Sequence, residues 1–267
     1  MQIEHLMDRL WVQYALQNPS AKKIHSLFEA KGEEIVNDHI AFRTLNDPRI
    51  SIDVLARPFK SAGYVASGEY HFKKKKLFAK HFEIPGRNDM PRIFISELLL
   101  EQFSEDLNQV FEQALDGLSS SFFDSELMVL SGSAFDPLSY KTYEKLRRES
   151  EYAAWFYVHG FRANHFTVSV NGLNHFKSLQ EVNDFLKRNG FDMNDSGGEI
   201  KGDPDQLLEQ SSTLADKVKV SFKEGDYKVP ACYYEFARRY PDKQGRLFSG
   251  FIADSADKIF ESTDFRK

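Results

Sequence analysis

Apolar positions recur every three to four residues at the start of the chain. Leu6, Leu10, Trp11, Tyr14 and Ala15 predict one helix over 2–16. Ile24, Leu27 and Phe28 predict a second, ended by Lys31-Gly32, and Ser20 after Asn18-Pro19 is placed to cap it. The period then shortens to two. Asp38 to Thr44 reads as a strand, Ile52 to Ala62 as a helix, and Tyr64 to Ile84 as strands and turns. Lys73 to Lys76 sit in a hairpin, a run that suits a solvated face or the guidance of anionic substrates. Arg92 to Leu98 is the next strand. Between 99 and 160 the pattern is helical, with one stripe at Leu107, Val110, Phe111 and Ala114 and another at Tyr140, Tyr143, Leu146 and Tyr152. Asn164 to Val170 returns to a strand, and Ser178 to Arg188 to a helix. Asp203-Pro204 opens a predicted helix with Leu207, Leu208 and Leu214 on one face. Val218 to Phe222, the Glu224-Gly225-Asp226 turn and the strand through Tyr233 to Phe236 complete the pattern.

One unit occurs twice in this order. A strand carrying His39 is followed 58 residues later by a strand carrying Glu97, and a strand carrying His165 is followed 70 residues later by one carrying Glu235. The repetition predicts an α+β, pseudo-twofold fold in a single domain spanning 1–267. Its halves lie at about 35–100 and 160–240, with a helical N-terminus at 1–34 and a helical insertion at about 101–159.

Composition narrows the classes. The net charge of −5 argues against a general nucleic-acid binder. The single cysteine, Cys232, excludes an intrachain disulfide and a multi-cysteine metal site. Residues 1–11 lack the basic head and apolar run of a signal peptide, and no apolar run approaches the ~20 residues of a membrane span. A soluble, cytoplasmic protein is expected.

The His and Glu strands carry the candidate chemistry. Two His and one carboxylate on a rigid frame are the ligand set of non-haem Fe(II) oxygenases, and open positions let substrate bind beside oxygen. A carboxylate in Tyr233-Tyr234-Glu235-Phe236 is costly to bury without a partner. Spacing leaves two ligand sets open: His39, Glu97, His165 and Glu235 together, or three of these with Glu97 behind them or pointing away. It does not choose iron from zinc, manganese or nickel. His159 and His175 fall beyond the ends of the His165 strand and read as structural or exposed. Ser211, Ser212 and Thr213 read as turn or cap hydroxyls, and Cys232 as core.

Asp38 to Thr44, Pro91 to Leu98, Asn164 to Val170, Gly202 to Asp216 and Val229 to Arg239 together resemble the 2-oxoadipate dioxygenase/decarboxylase, or 2-hydroxyglutarate synthase, family from about residue 14 to 252. The resemblance implies paired βαβββ modules of the vicinal oxygen chelate type around a central metal, with added helices. It implies an Fe(II) enzyme converting 2-oxoadipate and O2 to 2-hydroxyglutarate and CO2, in a setting such as lysine degradation. Carried over by motif, the metal ligands fall on His39, His165 and Glu235, and the substrate-binding arginine on Arg43. Strand alternation agrees, because residues 39, 41 and 43 share a face. Characterised relatives are often longer, with extra sequence that closes the pocket. Two other readings remain in view. One is a non-redox metalloenzyme of glyoxalase type (isomerase, lyase or hydrolase) with Glu97 as a ligand. The other is a protein that binds a small acid without turnover.

Overall fold

The computed structural model describes residues 2–253, 258–259 and 263. The strand bearing His39, β1 (Asn37–Leu45), lies in the middle of an eight-stranded sheet with β2 (Val65–Phe72), β3 (Leu77–Glu83), β4 (Arg92–Leu98), β5 (Ala163–Ser169), β6 (Lys201–Asp203), β7 (Leu208–Ser212) and β10 (Tyr233–Arg239). Their order is β2-β3-β4-β1-β5-β10-β7-β6. On one side β1 pairs with β4 in parallel, and β4, β3 and β2 follow antiparallel. On the other, β5 pairs with β10 in parallel, and β10, β7 and β6 follow antiparallel. An antiparallel β1–β5 pairing joins the two groups, so the sheet has an approximate twofold axis at its centre.

Each group is a βαβββ module. In the first, α3 (Ile52–Leu55) and α4 (Arg57–Ser61) cross from β1 to β2; in the second, α9 (Leu179–Arg188) follows β5. The hairpin of β8 (Lys217–Phe222) and β9 (Gly225–Pro230) is inserted before β10 as a separate two-stranded sheet. β1 is buried without a break from Asp38 to Leu45, because both of its faces are covered.

The covering layers come from the remaining helices. α1 (Ile3–Gln17) and α2 (Pro19–Ala30) lie on the second module, where Trp11 and Tyr14 meet Phe166 with ring centroids 5.2 and 5.0 Å apart. Phe28 of α2 packs on Phe176, Phe185 and Phe236. Between the modules run α5 (Glu105–Asp116), α6 (Ser120–Phe123), α7 (Tyr140–Glu149) and α8 (Glu151–His159). Ser104, Ser139, Ser150 and Ser178 cap α5, α7, α8 and α9 by accepting a backbone N–H of the first turn. α8 is buried from Tyr152 to His159, and the Tyr152 hydroxyl donates to the Ser96 carbonyl at 2.6 Å. It stops at Gly160, whose φ of 60° and contact with the Gly132 carbonyl, 2.3 Å from where a Cβ would stand, admit only glycine. No helix among the described residues is long and apolar enough to cross a membrane.

Three sequence expectations differ from the structure. Ser20 does not cap α2; Asn18 precedes Pro19 at that end, and Ser20 binds Asp216 through its backbone N–H at 2.7 Å and its hydroxyl at 2.6 Å. The helix expected over 52–62 is divided into α3 and α4, with Pro58 in the first turn of α4. The helix expected from Asp203-Pro204 is a single 3-10 turn, Pro204–Gln206. Leu207 then turns left-handed at φ 65° and the chain enters β7, whose Gln210, Ser211 and Ser212 are buried against β10.

Candidate metal centre

β1 and β5 meet in a register that sets His39 opposite Thr167 and Ala41 opposite His165. β10 lies on the far side of β5 and sets Glu235 opposite Thr167 and Tyr233 opposite His165. His39, His165 and Glu235 thereby converge from three adjacent strands. His165 Nε2 is 3.4 Å from His39 Nε2 and 3.2 Å from Glu235 Oε2, and His39 Nε2 is 3.5 Å from Glu235 Oε1. Three donors about 2.1 Å from one ion, at tetrahedral or octahedral angles, lie roughly 3.0–3.4 Å apart, so the cluster could hold a metal.

The surroundings point the imidazoles inward. His39 Nδ1 is 2.8 Å from Asp38 Oδ1, and His165 Nδ1 is 3.0 Å from Asn164 Oδ1. With each Nδ1–H donated to an oxygen, the Nε2 lone pairs face the cluster. Burial pushes both imidazoles below their ordinary pKa, His165 well below, so they are neutral, as a metal ligand must be. Burial also pushes the Glu235 carboxyl up to about 8, against the hydrogen bond from Gln210 Nε2 to Oε1 at 2.6 Å. Glu235 Oε2 is buried without a hydrogen-bond partner. A cation is what this orphaned oxygen and the His165 lone pair are suited to receive, beside the His39 lone pair that in its absence meets the Thr167 hydroxyl at 3.0 Å.

Asp38 is the opposite case. Burial would raise its pKa, but the bidentate Arg239 guanidinium, at 2.7 and 2.9 Å, and His39 carry it well below the usual carboxylate range. Arg239 Nη1 also donates to the carbonyls of Phe248 and Gly250, at 2.9 and 2.7 Å. That contact holds the segment that sets Phe251 edge-on to His39, with ring centroids 4.8 Å apart. Phe94, Tyr233, Phe251 and Ile259 wall the cluster, leaving a void of about 20 Å³. Phe251 and Ile259, from the chain after β10, supply two of these four walls.

Arg43 lies on β1 two residues beyond Ala41, the position that strand alternation assigns to the His39 face. It is 2% exposed, and its guanidinium carbon lies 4.9 Å from the ring centroids of both Tyr152 and Trp155. Arg43 Nη2 donates to Thr263 Oγ1 at 3.3 Å, and the Thr263 hydroxyl donates in turn to Glu151. The Arg43 charge acts on both His165 and Tyr233.

Glu97 is outside the cluster, neither a ligand nor behind one. Phe94 faces the pocket, so alternation turns Glu97 to the other face of β4, where its carboxylate accepts the Ile52 N–H at 3.0 Å. The register gives the reason. Glu235 lies opposite Thr167, two residues after His165, and the matching position opposite Ala41, two residues after His39, is Phe94. His159 is buried and bonded to the Pro230 carbonyl at 2.7 Å, and His175 pairs with Glu33 at 3.2 Å. Ser211 and Thr213 serve Asn183 and the Tyr234 backbone, and Cys232 is core. Sequence reasoning missed Asp38, Arg239, Gln210, Tyr233 and Phe251. A signal existed for the first: an Asp or Asn directly precedes each cluster histidine, at Asp38-His39 and Asn164-His165.

Paired βαβββ modules with side chains converging at their junction define a vicinal oxygen chelate fold, the architecture shared with glyoxalases. Within that class, the chain belongs to the 2-oxoadipate dioxygenase/decarboxylase family, whose profile matches residues 5–135 and 129–247. It is 37% identical to the chloroplastic 2-oxoadipate dioxygenase/decarboxylase of Arabidopsis thaliana over 97% of this chain and 76% of the relative. The hydroxyglutarate synthase of Oryza sativa, solved in complex with 2-oxoadipate, superposes with a TM-score of 0.93 at 35% identity over 98% of this chain and 92% of that one. A Shewanella frigidimarina protein named as a hydrolase superposes with a TM-score of 0.89 at 48% identity, over 94% and 98% of the two chains.

Proposed function

We propose that this chain is an Fe(II)-dependent dioxygenase/decarboxylase that converts 2-oxoadipate and O2 to 2-hydroxyglutarate and CO2. The observation that carries the reading is the convergence of His39, His165 and Glu235 in a buried pocket, and Arg43 follows His39 by four residues on β1. Iron(II) would supply a redox centre that takes the 2-oxo acid and O2 side by side. The atoms balance: both atoms of O2 enter the organic products, and the C1 carboxylate leaves as CO2.

The protein's share is positioning and charge. His39 Nε2, His165 Nε2 and one or both Glu235 oxygens would hold the ion, and Glu235 gives up its proton as the ion enters. Asp38 and Asn164 fix the two imidazole rings. The Arg43 guanidinium, stacked between Tyr152 and Trp155, takes the distal carboxylate of the acid through parallel N–H···O bonds. Phe94, Phe251 and Ile259 exclude water from the reacting end.

The test is O2 uptake by anaerobically Fe(II)-loaded protein given 2-oxoadipate, with products identified by mass spectrometry. Stoichiometric 2-hydroxyglutarate and CO2 are expected. Bound iron without O2 uptake would refute the reading.

A further inference from the structure

The metal pocket is nearly closed, and a larger cavity of about 350 Å³ is lined by Arg43, four residues after His39 on β1. Its wall includes Arg43, Lys74, Lys75 and Lys76, with Glu149 and Glu151 as the acidic members. Four cations therefore face two carboxylates, in a chain whose net charge is −5. Both carboxylates are already engaged. Glu149 accepts the backbone N–H and hydroxyl of Ser104 at 2.7 and 2.6 Å, and Glu151 accepts the Thr263 hydroxyl. Ser150, Glu151 and Tyr152 bring the N-terminal end of α8 to the same wall, adding the positive end of a nine-residue helix.

The lysine turn between β2 and β3 is fixed over this cavity. The Lys76 carbonyl accepts the Leu99 N–H at 3.0 Å. Lys76 Nζ donates to the Gln102 carbonyl at 2.5 Å and lies 4.4 Å from the centroid of Phe103. Lys76 is thus an anchor. Lys74 and Lys75 make no salt bridge among the described residues, and both line the cavity. Charges in a concave, low-dielectric setting focus their field and raise the local concentration of an oppositely charged ligand. Arg43 links the cavity to the metal pocket: it lines the cavity, is buried, and follows His39 by four residues on β1.

We infer that this cavity is the mouth of the metal pocket, and that Lys74 and Lys75 capture the distal carboxylate of a dicarboxylic acid before Arg43 receives it. The inference rests on Arg43 being the substrate clamp. It assigns the lysine run a ligand class, the dianion of a small dicarboxylic acid, and separates its two free members from the anchoring Lys76.

The experiment is anaerobic calorimetric titration of the Fe(II)-loaded protein with 2-oxoadipate and with 2-oxohexanoate, a monoanion of the same chain length. At about 0.02 M ionic strength, K74Q/K75Q should bind 2-oxoadipate five- to ten-fold more weakly than the parent, and K74E/K75E more weakly still. At about 0.5 M salt the difference should fall below about two-fold, because screening shortens the reach of exposed charges. The monoanion should be affected less at both salt levels. Unchanged affinity and salt dependence, equal weakening of both acids, or failure of the parent to bind 2-oxoadipate would each overturn the inference. Binding that behaves as expected, followed by no O2 uptake in air, would retire the oxygenase reading and leave the mouth in place.

Discussion

Exchanging Glu235 for Gln removes a titrating group from the centre of the fold at nearly constant volume. In the metal-free protein the carboxyl is held neutral by burial, with its pKa raised to about 8. Unfolded, it titrates near 4.3. A raised carboxyl pKa means that the folded state binds the proton more tightly, so its stability falls as pH rises from the unfolded toward the folded value. The buried histidines have the opposite sign. His39 and His165 are lowered from 6.5, so their contribution is complete above that pH and is lost below it. Between pH 6.5 and 8 the Glu235 slope therefore stands apart from theirs. At 1.36 kcal/mol per pH unit, and allowing for half-titration at pH 8, the loss is about 1.5 kcal/mol. Urea denaturation of chelator-treated protein at several pH values across that window measures it. The parent should lose about 1.5 kcal/mol relative to E235Q, and the variant should be the more stable protein at pH 8. Parallel curves for the two proteins would show that Glu235 is not held neutral and would refute the electrostatic account of the site.

Three further outcomes follow from the same geometry. Asp38→Asn should weaken metal affinity by about 10- to 100-fold in a competitive chelator titration, because the His39 ring loses its charged acceptor. It should also destabilise the fold by about 3–5 kcal/mol in denaturant melts, since Arg239 is left as an uncompensated buried charge. Arg43→Lys should raise KM for 2-oxoadipate by roughly ten-fold or more in an O2-electrode assay with metal content unchanged, because an ammonium cannot make two parallel bonds to a carboxylate. Glu97→Gln should keep both metal content and turnover, measured by metal analysis and O2 uptake; loss of the metal would revive the glyoxalase-type reading.

Much of the frame was legible because it depends on short-range pattern. The period-two runs around His39, His165, Glu97 and Glu235 are all strands, and the serine before Leu179 caps the helix that its apolar spacing predicts. The error at Glu97 came from matching the halves by residue type. Pairing register decides which residues face each other, and a shift of three positions, from Phe94 to Glu97, also changes the face of the strand. At 203–212 the leucine spacing suggested a helix, but Leu207 turns left-handed and the polar side chains after it find partners in β10 and α9. Phe251 and Arg239 were out of reach for a different reason. Their roles depend on the path of the chain after β10, which brings Phe251 back over His39, and nothing in the local pattern encodes that return.

Phe94 marks where the duplication departs from symmetry. A carboxylate at this position would give each module the same pair, and four side chains would enclose the centre from both halves. With phenylalanine there, one module contributes a single imidazole and the other an imidazole and a carboxylate. The side facing the first module is left without a ligand and is lined by Phe94 as an apolar wall. The break in symmetry, rather than any added residue, separates a closed structural clasp from a centre on which chemistry can take place.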